Sequence, residues 1–521
     1  MNTQAQSLPV PDLAIQDYLR IRQLEGKTDS SLSLNIRPVK ASFLNQEKDS
    51  SGFKYLPKNL HRESSLLQFK ILPVSLVQQL NTQQPYGWND GLMIPAKGYQ
   101  VLFSAGVFAK FGPLSIQLKP EFVYAANPVY LEGNDRIAAE SYSSFITGAN
   151  VYGADIPAYF EGKGYTSAGL GQSNVRLSFG PASLGISNEN LWWGPGRKNS
   201  LLMSSSARGF KHISLNTNRP VKTPIGFFEG QIISGRLENS NSPLNDLKIK
   251  EWRYLSGLSF SYSPRWVPGL FFGLTRVFQI YNTDLKTAGD YFPLFQAFEK
   301  KRTNEDYKNR DQLSSVFARL ILPEANAELY VEFGRNDHSV DIRDFTMEPN
   351  HSRAYLAGFQ KLISLTKPAE KLLISAEIAQ LSQPPSRFVR GAGNWYVHKI
   401  NQGYTNEGEV LGAGIGPGGN IQTLEISWLK DFKKIGIQFE RFVHNNDYYQ
   451  AFSSGSRDLN GQWVDLSAGF LFNRNYENIL LSGKILGVQS LNYLWQSGEF
   501  GTSKRNVFNV HANLGLSYYF K

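Results

Sequence analysis

Phe508-Asn509-Val510-His511-Ala512-Asn513-Leu514-Gly515-Leu516-Ser517-Tyr518-Tyr519-Phe520 brings the chain to its end on an unbroken alternation. Phe508, Val510, Ala512, Leu514, Leu516, Tyr518 and Phe520 fall on one face, and Asn509, His511, Asn513, Gly515, Ser517 and Tyr519 on the other. Neighbouring side chains of a strand point to opposite sides, so this is a strand with one apolar and one polar face. Its 13 residues exceed the roughly 5–6 of an ordinary globular strand and reach the roughly 9–11 needed to cross a bilayer at a tilt.

The same period recurs upstream. Val175, Leu177 and Phe179 alternate with polar residues, as do Leu258, Phe260 and Tyr262. So do Ala327 to Phe333, Ile435 to Phe439 and Val464 to Phe472. Between Leu66 and Phe520 such stretches number about 18, and bacterial single-chain barrels have even strand counts. The expected fold is all-β: a transmembrane antiparallel β-barrel of about 18 strands over residues 66–521. A small N-terminal helical segment is expected over 1–65, and long loops connect the strands. No internal repeat suggests a propeller or solenoid.

Composition agrees. The chain has 521 residues, 34 Phe, 25 Tyr, 9 Trp and no Cys, which excludes disulfides and thiolate chemistry. Mean hydropathy is −0.33 and no run of 18 apolar residues occurs, which excludes a membrane-spanning helix but not a barrel, whose strands show one apolar face each. The formal charge of +10 suits an acidic partner. Thr3 and Ala5 match an A-x-A-like cleavage site, so Met1 is expected to stand in place of a removed signal sequence or to mark a late start. Pro11–Leu24 reads as a helix, with Pro11 and Asp12 opening it and Gly26 closing it. Ala14, Tyr18 and Ile21 share a face, beside Ile15 and Leu19.

Three long connections interrupt the alternation: Asn127–Ser173, Asn282–Gln312 with a short aromatic helix expected over Tyr291–Lys301, and Ser382–Asn420. Loops of this length usually carry function. No HxxxH-type metal spacing, G-x-S-x-G elbow or nucleic-acid module is present, so no catalysis, cofactor, metal or nucleic acid is expected.

Local chemistry concentrates in Gly185–Glu238. Trp192 and Trp193 precede a Gly-Pro-Gly turn, and Asn190–Phe228 holds six cations (Arg197, Lys198, Arg208, Lys211, Arg219, Lys222) and no acid. Aromatic faces stack on sugar rings and cations hold anions. The candidate binding residues are Trp192, Trp193, Arg197, Arg208, Lys211 and His212, with Trp395 and Tyr396 on the Ser382–Asn420 connection. The bland alternatives are an aromatic membrane girdle or packed anchor for the tryptophans, and pairing with barrel carboxylates or lipopolysaccharide phosphates for the cations. Arg208, Phe210, His212, Ser214 and Asn216 would share the lumenal face of a strand, and Ile213 and Leu215 its lipid face.

These residues carry a resemblance. Trp192-Trp193-Gly194-Pro195-Gly196, Asn199-Ser200-Leu201-Leu202-Met203-Ser204 and Gly209-Phe210-Lys211-His212-Ile213 resemble a motif of the Wzi family of capsule assembly proteins. A second match runs Gly403-Tyr404-Thr405-Asn406-Glu407-Gly408 and on from Leu411-Gly412 to Gly416-Pro417-Gly418. The likeness spans nearly all the chain, and the composition resembles the Bacteroidetes-type branch. The end of the chain resembles the C-terminal signal of outer-membrane barrels, departing from it in Lys521. The resemblance implies an integral outer-membrane barrel of 18 strands with its N-terminal helices at the periplasmic end. It implies a lectin-like, non-catalytic role in holding capsular polysaccharide or exopolysaccharide, an acidic one given the charge. Outer-membrane lipid and lipopolysaccharide would surround a monomer. Because the resemblance places the sugar-binding surface on extracellular loops, Trp395 and Tyr396 compete with the Trp192–Gly196 motif. An outer-membrane channel or exporter for oligosaccharides or other anions is the alternative. A lipid-modifying enzyme and a soluble β-sandwich stand behind it.

Overall fold

The structure, a computed structural model, describes residues 6–46, 67–146, 153–157, 162–240, 251–293, 310–336, 346–367, 369–384, 392–400, 402–452, 460–498 and 504–520. Each alternating stretch is a strand, and each strand pairs antiparallel with its sequence neighbours. The first nine are β1 Leu67–Asn81, β2 Gly98–Phe111, β3 (Leu114–Leu118 and Glu121–Ala125), β4 (Tyr165–Gly169 and Asn174–Phe179), β5 Ala182–Ser187, β6 (His212–Thr217 and Val221–Thr223), β7 Gly226–Leu237, β8 Arg253–Pro264 and β9 Leu270–Tyr281. The rest are β10 Asp311–Leu322, β11 Ala327–Asn336, β12 Arg353–Ser364, β13 Glu370–Gln380, β14 Asn420–Lys430, β15 Lys433–Val443, β16 Val464–Tyr476, β17 Ile479–Leu491 and β18 Val507–Tyr518. The last closes on the first, Leu76 opposite Leu516, giving a barrel of 18 strands.

One apolar face of each strand points outward. Phe69, Val316, Phe470, Ile485 and Phe508 are among the most exposed large side chains, while Asn509 and His511 are buried on the inside. That is the inverse of a soluble protein and the pattern expected of lipid contact. The connections alternate strictly in length. Turns such as Gly112-Pro113, Gly180-Pro181, Asp431-Phe432 and Glu477-Asn478 join strands at one end, and their first residues all have positive φ, as tight hairpins require. At the other end lie long connections, including 82–97, 188–211, 381–419 and 444–463.

Several expectations shift in detail. Helix α1 spans Leu13–Leu24, with Asp12 at its N-terminal cap position and Gly26 just past its end at φ +68. It is inserted into the short-turn end of the barrel. Ile15, Tyr18 and Leu19 pack on Phe432, Leu480 and Tyr519, and Leu24 on Phe271, Ile321 and Leu373. Its polar side is buried too: Arg20 pairs with Glu328 at 2.6 Å, and Glu328 also holds Arg319 at 2.7 Å. The expected boundary at 65/66 falls among residues 47–66, outside the described ones. Tyr165–Gly169, read as part of a loop, is strand. Of the helix expected over Tyr291–Lys301, the described residues hold only Tyr291, which ends a one-turn helix begun at Ala288, and Phe292 and Pro293, which do not continue it; 294–301 lie outside them.

Phe470, 69% exposed at the centre of β16, tests the outward face. Phe470→Arg should cost about 2–4 kcal/mol, the price of a cation at the bilayer midplane, and Phe470→Leu under about 1.5. Urea titration of the barrel refolded into lipid vesicles reads the difference, and an equal loss in both variants would remove the lipid-facing assignment.

Candidate functional site

The Trp192–Gly196 motif does not lie on a surface. Connection 188–211 leaves β5 at the long-loop end and folds into the lumen. There Trp192 and Trp193 pair as a short ladder with Arg37 and Ile36 of the N-terminal segment. Both rings are fully buried. Trp193 donates its indole N–H to Gln231 on β7 at 2.7 Å and lies against Gly257 on β8, where a Cβ would come within 2.7 Å of the ring. A glycine in a strand interior often marks such a close approach. The Arg37 guanidinium sits 4.6 Å from the Trp192 ring centroid, a cation–π contact.

The turn that follows is held by wall carboxylates. Gly194 has φ +116, and a Cβ there would lie 2.8 Å from the Glu332 carboxylate, so both conformation and space call for glycine. Glu377 on β13 accepts the backbone N–H of Arg197 at 2.7 Å and of Lys198 at 3.0 Å, the Asn199 amide at 3.1 Å and the Tyr330 hydroxyl at 2.9 Å. Arg197 reaches from this turn to α1 and the wall at once. It donates to both Asp17 oxygens at 2.9 and 2.6 Å and to Glu425 on β14 at 3.0 Å. Lys434 closes the cluster on Glu425 at 2.5 Å and Asp17 at 3.3 Å. Burial alone would push the Asp17 carboxyl up; Arg197 and Lys434 outweigh it and hold the group well below the ordinary carboxylate range.

The second motif lies in the same interior. Trp395 is fully buried, donating to the Ser352 carbonyl at 3.1 Å and resting on Gly334 of β11. The Tyr396 hydroxyl donates to the Leu201 carbonyl at 2.6 Å and accepts the Ala413 N–H at 2.8 Å, which ties the two connections together. Trp193, Leu201, Met203, Phe210, Trp395, Tyr404, Leu411 and Ile415 form one core against inward residues of β7–β15. Both motifs are therefore a plug.

The candidate residues divide accordingly. Trp192, Trp193, Arg197, Trp395 and Tyr396 are enclosed in the plug, with no ring face or charge left open to a polymer. His212 opens β6 on its lumenal side, Nδ1 at 2.8 Å from the Phe210 carbonyl, while Ile213 and Leu215 face outward. Arg208 precedes the strand rather than sharing its face; it pairs with Glu407 at 2.6 Å and also donates to Tyr165. Lys211 alone of this set is exposed.

Sequence reasoning passed over a cluster at the long-loop end. Helix α2 (Asn134–Ile146) and α3 (Asn446–Phe452) bring Tyr142 within 4.8 Å of Trp495 and Phe145 within 4.9 Å of Tyr448. His444 stacks on Trp463 at 3.6 Å. The available signal was aromatics placed in connections, outside the alternation. Phe145 and Ile137 on α2 are exposed.

An 18-stranded barrel with an apolar outer belt, filled by its own connections, defines a plugged outer-membrane barrel. The chain belongs to the family described as capsule assembly protein Wzi, whose model matches residues 96–476. A solved structure described as Wzi, an outer membrane protein involved in group 1 capsule assembly in Escherichia coli and a carbohydrate-binding β-barrel, has the same fold. It is 14% identical, covers 99% of this chain and 100% of its own, and superposes with a TM-score of 0.64. Acinetobacter baumannii OccAB2 is more distant: 10% identity, TM-score 0.43, covering 86% of this chain and 98% of its own. No curated protein sequence matches.

Arg197→Met leaves Asp17 with Lys434 alone and Glu425 with Lys434 and Lys198, and should destabilise the plug by about 3–5 kcal/mol, the usual loss on breaking a buried pair from one side. Hydrogen exchange over 188–211 measures it, and unchanged protection would show the cluster to be idle. Because the Asp17 pKa is depressed, its contribution is complete above the ordinary carboxylate value of about 4 and is lost as pH falls through the lower folded value. The same protection should be flat from neutral pH down to mild acid and decline only in strong acid. A decline between neutrality and mild acid would contradict the assignment.

Proposed function

We propose that this protein holds an acidic capsular polysaccharide or exopolysaccharide at the outer surface of the outer membrane by lectin-like binding, without catalysis. The observation that carries this reading is the inward folding of both motif-bearing connections. They pack against the β7–β15 side of the lumen, which makes the long-loop end the surface that can meet a polymer. The short-turn end, with α1 inside it, faces the periplasm, following the usual placement of short turns in such barrels.

The aromatic cluster packs Tyr448 and Trp495 out of reach and turns Phe145 outward at this end, which supports the same surface, since ring faces suit sugar C–H faces. Many weak contacts along a polymer add up to firm retention. The +10 charge favours an acidic chain, with attraction screened by salt. The protein acts as a monomer in this reading.

Cells lacking the protein should shed capsule into the medium, and retention in the wild type should fall as salt rises. Normal capsule attachment in the deletion strain would defeat the proposal. In planar bilayers the wild-type barrel should give no large conductance step; a large open-pore step would favour the channel or exporter reading instead.

A further inference from the structure

The plug is eccentric. Its core meets the apolar inner residues of β7–β15, and on the opposite side of the lumen the described residues leave a hollow. A chamber of about 290 Å³ lies there, between α1, the connection carrying Tyr86 and Trp88, the Arg197–Asn199 turn and the wall from β14 through β18 to β3.

Register explains the space. Inward rows across β17, β18, β1 and β2 run Leu480–Ser517–Ser75–Ser104 and Ser482–Gly515–Val77–Leu102. Serines and a glycine stand where the other side of the barrel carries Leu, Ile and Tyr. The next row towards the long-loop end is Lys484–Asn513–Gln79–Gln100. Lys484 lines the chamber and, among the described residues, its ammonium makes no hydrogen bond or ion pair. Nearby acids do not neutralise it at contact distance. Glu440 accepts the Tyr86 hydroxyl at 2.9 Å and the Thr423 hydroxyl at 2.8 Å, and Asp90 forms no ion pair with it. Tyr86 and Trp88, ring centroids 5.3 Å apart, border the same space.

Hydroxyl and amide groups, an aromatic border and the unpartnered Lys484 ammonium form a definite recognition set; Lys119, also without a side-chain partner among the described residues, lies on the lining with Asp12 and Glu121. A ligand pocket combines an apolar surface with a few placed polar groups. Here the polar groups match a ring of hydroxyls, Trp88 offers a face for its C–H side, and Lys484 awaits an anion. We infer that this chamber is an interior binding site for a hydroxylated ligand of monosaccharide size bearing one carboxylate, whose charge Lys484 receives. The site is separate from the outer surface proposed to hold polymer, and does not depend on that reading.

Calorimetric titration of the detergent-purified full chain with glucuronate, glucose and acetate tests it. Glucuronate should bind saturably at millimolar concentrations, and more tightly than either glucose or acetate. Lys484→Met should weaken glucuronate by about tenfold or more, the loss of one charge-assisted hydrogen bond, and leave glucose unchanged. Ser482→Trp, which fills the chamber without touching the charge, should abolish both. Heat-modified migration on gels checks that each variant is a folded barrel. Absence of saturable glucuronate binding, equal affinity in Lys484→Met, or acetate binding as tightly as glucuronate would each overturn the assignment. Capsule retention should be unaffected by Lys484→Met, so failure here and failure of the surface reading are distinguishable.

Discussion

A guanidinium placed inside a barrel must find its counter-charges there, and Arg197 finds them on two different parts of the chain. Asp17 comes from the N-terminal helix and Glu425 from the wall, with Lys434 completing the cluster. Desolvating such a group is costly unless it is fully paired. The position of helix, turn and wall is therefore mutually determined: moving any one leaves a buried charge exposed to its own field. Around this point the remaining plug contacts follow, from the Glu377 cradle under the turn to the Tyr396 hydroxyl that joins the two inward connections.

That constraint recasts the most conspicuous sequence feature. Two adjacent tryptophans beside a run of cations suit a sugar site on local chemistry alone. In the barrel their rings are seated on Gly257 and beneath Arg37, and the first cation of the run is occupied by carboxylates from elsewhere. No acid lies within the run itself, yet acids surround Arg197 in space. The neighbours that neutralise it are some 180 and 228 residues away, a separation that composition within a window never registers.

The barrel, by contrast, was legible because its rule is local. Each strand alternates with period two, and lipid outside with polar lumen inside demands the same alternation in every strand. The strand count of about 18 needed only that period and the turns that break it. Helix α1 was legible from its cap residues, but its surroundings were not. Amphipathicity suggested one buried face, whereas insertion into the lumen buries Gln16, Arg20 and Gln23 as well. The aromatic cluster joining Tyr142, Tyr448, Trp463 and Trp495 escaped notice because its members come from separate connections and share no spacing.

Sequence by itself determined the class of fold, the outward face of each strand, the helix near the start and the family motif. Those are properties of neighbours in the chain, set by side-chain direction and backbone conformation. Tertiary structure alone decided that both motifs turn inward, that the plug sits to one side, and that Lys484 lines the chamber opposite it. These outcomes depend on which distant carboxylate meets which cation and on where small residues align across four strands, and ring closure of the barrel is what brings those partners together.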